Sequence, residues 1–163
     1  MSARLRRTPV SLCALTTAAL INVGPIVQAA EVPSYCAELK QVASLVLLRD
    51  KFASIIGAPR AGNFLDAKIT LPGWDDCSFY GMRTYTCDSQ GFKTADEGNA
   101  AHGRVVEEVK SCLRGGWTED ESRASPAYVV LRDARQSASI TINTDLTEKG
   151  EHVVRLILFL RSG

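Results

Sequence analysis

The residues best suited to chemistry in this 163-residue sequence are its two histidines, His102 and His152. Two imidazoles and a lysine in a small secreted protein could cleave RNA by general acid–base catalysis. No spacing brings this pair together, so both are expected to be solvated surface side chains. Asp75 and Asp76 beside Trp74 are a second candidate, able in principle to bind a sugar or Ca²⁺. A glycosidase needs two carboxylates roughly 5–10 Å apart across a cleft, and the EF-hand ligand pattern is missing. Adjacent aspartates before a strand are expected to form a solvated turn. The run Glu119-Asp120-Glu121 reads the same way, as an exposed loop. The sequence contains neither a Gly-x-Ser-x-Gly elbow nor a His-Glu-x-x-His helix. No catalytic residue and no cofactor are therefore assigned.

Cysteine chemistry depends on compartment. Arg4, Arg6 and Arg7 precede an apolar stretch from Val10 to Ile21, and Asn22, Gly24 and Pro25 then break it. Val27-Gln28-Ala29 puts small residues at the −3 and −1 positions of a cleavage after Ala29. Residues 1–29 are expected to be a cleavable signal peptide. The apolar run is short of the roughly 20 residues a spanning helix needs, so no membrane span is expected after cleavage. Leu12 before Cys13 does not suit a lipoprotein, and Thr8-Pro9 after Arg6-Arg7 does not suit the twin-arginine route. Residues 30–163 are about the size of one ordinary domain.

Without Cys13, four cysteines remain: Cys36, Cys77, Cys87 and Cys112. An even number in a periplasmic or secreted chain implies two disulfides, which removes thiolate chemistry. No C-x-x-C pair exists, and neither histidine stands at ligand spacing from a cysteine, so no metal site is expected. Two pairings compete. Cys36–Cys112 with Cys77–Cys87 follows from the hairpin register below, and Cys36–Cys77 with Cys87–Cys112 is nearly as compatible.

The full sequence carries a formal net charge of +1, and loss of three signal-peptide arginines makes the remainder mildly acidic. Lys and Arg form no basic stripe, so nucleic acid is not expected as a partner.

The elements that would position these groups can be read from periodicity. Apolar residues from Tyr35 through Ile56 recur at three- and four-residue steps, predicting a helix of about six turns. Ser34 is its expected N-cap, and Gly57 and Pro59 its expected stop. Ala67, Ile69 and Leu71 alternate as a short strand. Cys77 to Gly81 and Arg83 to Cys87 form a hairpin centred on Met82, placing Phe79 opposite Tyr85 and Cys77 opposite Cys87. Ser78, Tyr80, Thr84 and Thr86 take its other face. Thr94 with Glu97 is a capping box opening a second helix, which Gly115-Gly116 ends. Three strands close the chain, around Val129–Leu131, Ala138–Ile142 and Val153–Leu160, the last apolar on both faces apart from Arg155.

The predicted order is α-β-β-β-α-β-β-β: one α+β domain with an antiparallel sheet of about five to six strands and two helices on one face. A Gly-Trp step follows each helix (Gly73-Trp74 and Gly116-Trp117), hinting at a duplication too slight to assign. Trp74 and Trp117 are expected to cap the core at element edges, or to serve with Tyr80, Asp75 and Asp76 as anchors for a partner. The expected function is that of an exported binding module that engages another protein, inhibitor- or immunity-like, without catalysis. The rival is a small secreted hydrolase, nuclease- or glycosidase-like, using His102 and His152 or Asp75 and Asp76.

Overall fold

The computed structural model describes residues 32–48 and 52–161. The signal-peptide reading of residues 1–29 falls outside the described residues.

The chain forms a single α+β domain built on one eight-stranded antiparallel sheet. Helix α1 (Cys36–Ser44) leads into strands β1 (Ile56–Pro59), β2 (Phe64–Ala67), β3 (Asp76–Tyr80) and β4 (Thr84–Asp88). Helix α2 (Ala95–Cys112) leads into β5 (Trp117–Glu119), β6 (Tyr128–Asp133), β7 (Ala138–Leu146) and β8 (His152–Leu160). The spatial order is β1-β2-β3-β4-β8-β7-β6-β5. Each half is thus a helix followed by a four-stranded meander, and the last strands of the two halves pair at the centre. The two halves match as topology, with four strands each instead of three, but the Gly-Trp steps that hinted at a repeat fall at non-equivalent places: Gly73-Trp74 precedes β3, and Gly116-Trp117 opens β5.

The hairpin forms in its predicted register, Cys77 opposite Cys87 and Phe79 opposite Tyr85. Those four side chains are buried together with Leu156, Leu158 and Leu160 of β8 and with Ile140 and Ile142 of β7. The period of two therefore sends one face of every central strand into a single core beneath the helices. Phe52, Phe79 and Tyr85 stack through it with centroids 5.3 Å apart at each step. Burial pushes the Tyr85 phenol above its ordinary range, and its hydroxyl donates to the Ile69 carbonyl at 3.0 Å. Burial, and then a 2.7 Å hydrogen bond to Glu108, does the same to Tyr35.

Helix α1 is far shorter than predicted. It runs nine residues, passes into a 3₁₀ turn at Leu45–Leu47, and a second such turn follows at Ala53–Ile55. Leu45, Val46, Phe52 and Ile55 still reach the core. A chain bent into short turns buries the same three- and four-residue spacing that a straight helix would, so periodicity overstated its length. Ser34 is not the N-cap: Tyr35 holds that position without a side-chain cap, and the Cys36 amide donates to the Pro33 carbonyl at 3.0 Å. Gly57 does not stop a helix either. It lies in β1, where an added Cβ would stand 2.8 Å from the Asp66 Cβ, so the close approach of β2 requires glycine.

Two further corrections concern strands. The predicted strand at Ala67–Leu71 lies earlier, at Phe64–Ala67; beyond it, Lys68 donates to Ile55 and Leu71 is buried from a loop. Thr118 and Glu119, expected in a polar loop after Trp117, instead form with it the edge strand β5. Lys110 of α2 ties it down through Glu119 at 2.6 Å.

Helix α2 opens on the predicted capping box, with the Thr94 side chain and Glu97 reciprocally bonded. It lies against β7 and β8. Its two interior glycines serve different ends. At Gly98 an added Cβ would sit 3.0 Å from His152 Cβ, whereas Gly103 faces open space. Gly103→Ala should therefore stabilise the fold by about 1 kcal/mol, the usual helix-propensity gain. Gly98→Ala should lose that gain to crowding against β8. Paired urea denaturation curves test this, and an equal gain at both sites would contradict the close contact.

Candidate functional site

The sheet has one face under the helices and one open face, and the chemistry collects on the open one. Period-two alternation places Asp76, Ser78 and Tyr80 of β3, Thr84, Thr86 and Asp88 of β4, and Arg155, Ile157 and Phe159 of β8 there. Phe64 and Asp66 of β2 join them opposite Tyr80 and Ser78. All of these except Asp66 and Phe159 line a groove of about 580 Å³. A second depression of about 520 Å³ shares Phe64, Tyr80 and Thr84 and extends to Met82, Arg83 and Phe159.

Four large aromatic side chains are exposed on this face: Tyr80 at 53 % exposure, Phe64 at 42 % and Phe159 at 41 % by the groove and its neighbouring depression, and Tyr128 of β6 at 38 %, across β7 from Arg155. Phe64 and Tyr80 meet edge-to-face, with centroids 5.4 Å apart. The Arg83 guanidinium lies 5.8 Å from the Phe159 centroid and donates to the Leu160 carbonyl at 2.9 Å.

Beyond the aromatics the face becomes ionic. Arg60, just after β1, binds Asp66 and grips both oxygens of Asp76 at 2.8 and 3.0 Å. Arg155 binds Asp145 and grips both oxygens of Asp88 at 2.6 and 2.8 Å. The carboxylates, Asp66 first for Arg60 and Asp88 for Arg155, hold both guanidiniums more firmly protonated. Asp76 and Asp88 are direct cross-strand neighbours. Like charges so placed repel, and a fork-shaped arginine on each makes the pair tolerable.

Two polar atoms on this face have no hydrogen-bond partner among the described residues although solvent does not reach them: Thr86 Oγ1 and Asn143 Oδ1. Thr86 lines the groove, and Asn143 is the cross-strand neighbour of Arg155.

The residues singled out by sequence fall in different places. Tyr80 and Asp76 lie on the groove. Asp76 is a strand residue clamped by Arg60 instead of part of a solvated turn, while Asp75 is exposed in the preceding bend, its amide bonded to the Asp88 carbonyl at 2.9 Å. Trp74 and Trp117 are half-buried and pack against the core. Trp74 meets Tyr35 edge-on, with centroids 5.8 Å apart. Neither tryptophan lines the groove.

His102 is not a surface residue. It is 2 % exposed, with Nε2 3.0 Å from the Ile142 carbonyl oxygen. A carbonyl can only accept, so Nε2 carries the proton. His152 is half-buried at the start of β8, close to Gly98. No hydrogen bond joins the two rings among the described residues.

The four cysteines form Cys36–Cys112, joining the helices, and Cys77–Cys87, bridging the hairpin. The competing pairing is ruled out. Among the described residues, no group of three or more His, Cys, Asp or Glu side chains is placed to hold a metal ion, and no helix is long and apolar enough to cross a membrane.

Sequence reasoning missed Phe64, Phe159, Arg60, Asp88 and Arg155. The signal for Phe159 was present: in β8 the residues alternating with Leu156, Leu158 and Leu160 are Arg155, Ile157 and Phe159, which the two-residue period sends to the opposite face. A scan against protein-family models and searches of curated proteins and of solved structures found no match to this chain.

Proposed function

We propose that this protein is an exported, non-catalytic module that binds another protein through the open face of its sheet, in the manner of an inhibitor or immunity factor. The observation that carries the reading is the exposed aromatic group Phe64, Tyr80 and Phe159 beside a groove of about 580 Å³. Aromatic side chains supply most of the energy at protein interfaces because they bury large area with little loss of side-chain freedom. The scaffold beneath is braced by two disulfides, so binding would cost little reorganisation. Export rests on the N-terminal sequence pattern.

The hydrolase alternative has less support. One of its histidines is enclosed and committed to a backbone carbonyl, and Asp76 is engaged by Arg60 at both oxygens.

The test is capture from the protein's own envelope extract, using the oxidised wild type beside a Phe64→Ala/Tyr80→Ala variant. Both side chains are exposed, so the variant should stay folded and lose well under ~2 kcal/mol of stability. Hot-spot residues of this kind typically contribute 2 kcal/mol or more, so retention of the bound protein should fall roughly 30-fold or further. Undiminished capture by the variant would reject the open face as the binding surface. A hydrolytic activity abolished by His152→Ala would reject the non-catalytic reading as well.

A further inference from the structure

We infer that the partner presents a basic, extended segment to the open face, its Lys or Arg heads meeting the two Asp–Arg–Asp clusters and its stems crossing the exposed aromatics. The inference rests on the open-face reading and adds the chemistry of what docks there.

Charge is the first argument. Arg60 serves Asp66 and Asp76, and Arg155 serves Asp88 and Asp145. Each cluster has two carboxylates and one guanidinium, leaving each with one negative charge in excess. Arg83, the other cation lining these depressions, sits at the hairpin end and is turned towards Phe159 and the Leu160 carbonyl. The Asp76/Asp88 end of the groove is therefore acidic, and a cationic group is its electrostatic complement.

Hydrogen bonding points the same way. The four carboxylates can only accept, and Arg60 and Arg155 do not fill all of their lone pairs. A groove margin rich in acceptors calls for a donor-rich ligand, and ammonium and guanidinium groups carry only donors.

The aromatics supply the third. The contact of Arg83 with Phe159 shows that a cation is accepted over a ring on this face. The exposed rings of Phe64 and Tyr80 offer similar surfaces to an incoming side chain, which can lay its aliphatic stem on the ring and carry its head onward. Along β3, Asp76 and Tyr80 stand on one face with Ser78 between them. A segment with basic residues at alternate positions matches that spacing, because its own side chains alternate with the same period. Addition of a strand at the sheet margins is a poorer route: β1 has four residues and contains Pro59, and β5 has three.

The experiment uses the isotope-labelled, oxidised protein and a five-residue probe of alternating Lys and Leu, blocked at both ends. Probes with Gln or Glu in place of Lys serve as controls. Amide resonances of β3, β4 and β8 should shift with the Lys probe, and the Glu probe should leave them in place. Binding should weaken about tenfold in an Asp66→Asn/Asp145→Asn variant, and weaken again at high salt. If the Gln probe binds as well as the Lys probe and the Phe64→Ala/Tyr80→Ala variant abolishes both, the cationic inference fails and the open-face reading stands. If no probe shifts these amides and that aromatic variant also leaves capture from extract unchanged, both fail. If an oligosaccharide shifts them and no peptide does, the face binds carbohydrate and the inference is overturned.

Discussion

Replacing Cys36 and Cys112 together with alanine should destabilise the domain by about 4–5 kcal/mol, and replacing Cys77 and Cys87 together by only about 3 kcal/mol. The bridges close loops of very different length, with sequence separations of 76 and 10. Cross-linking restricts the unfolded chain more when the loop is long. Location reinforces the difference. Helix α1 has nine residues and no side-chain N-cap, too few to hold together alone. It is kept on the sheet by its buried stripe, by the Tyr35–Glu108 hydrogen bond and by the bridge to α2. The hairpin, by contrast, retains its ladder without the bridge, since β2 and β8 flank it. Thermal unfolding of the two double variants should separate them, with the helix–helix pair losing on the order of 10–15 °C. A larger loss at the hairpin pair would show that native geometry, and not restriction of the unfolded chain, governs both bridges.

His102→Ala should cost about 2–4 kcal/mol, well beyond what a surface histidine would lose. Two terms add. Removing a fully buried ring leaves a void between α2 and β7, and the Ile142 carbonyl loses the ring nitrogen as a partner. His102→Leu, which refills much of the volume but donates nothing, should recover part of the loss and so separate the terms. Urea unfolding reads both; a loss below about 0.5 kcal/mol in the alanine variant would mean that the ring is not enclosed.

His102 illustrates how far the sequence carries. Its position was legible: it follows Gly98 by four residues and precedes Val106 by four, on the stripe that continues to Val109. Its polarity argued for the surface, and only the Ile142 carbonyl, 40 residues away, reverses that. Local features were readable in the same sense. The capping box at Thr94, the face alternation from Cys77 to Cys87 and the final three strands depend on neighbours in the chain, and all form as expected. The candidate site was readable only in fragments. Tyr80 and Asp76 could be named, but Arg155 meets Asp88 from 67 residues away and Phe159 faces Thr84 across the β4–β8 seam. Nothing in local spacing specifies which strands become neighbours.

That seam governs the order in which the molecule can be completed. Strand β8 lies between β4 and β7 and hydrogen-bonds to both, yet of the described strands it is synthesised last. Until it arrives, β1–β4 and β5–β7 are two partial sheets whose inner strands present bare edges, and the half-formed core has no Leu156, Leu158 or Leu160. Bare inner edges of this kind are prone to pair with the wrong strand. The sheet is expected to close in a late step, when hydrophobic β8 inserts between the two halves.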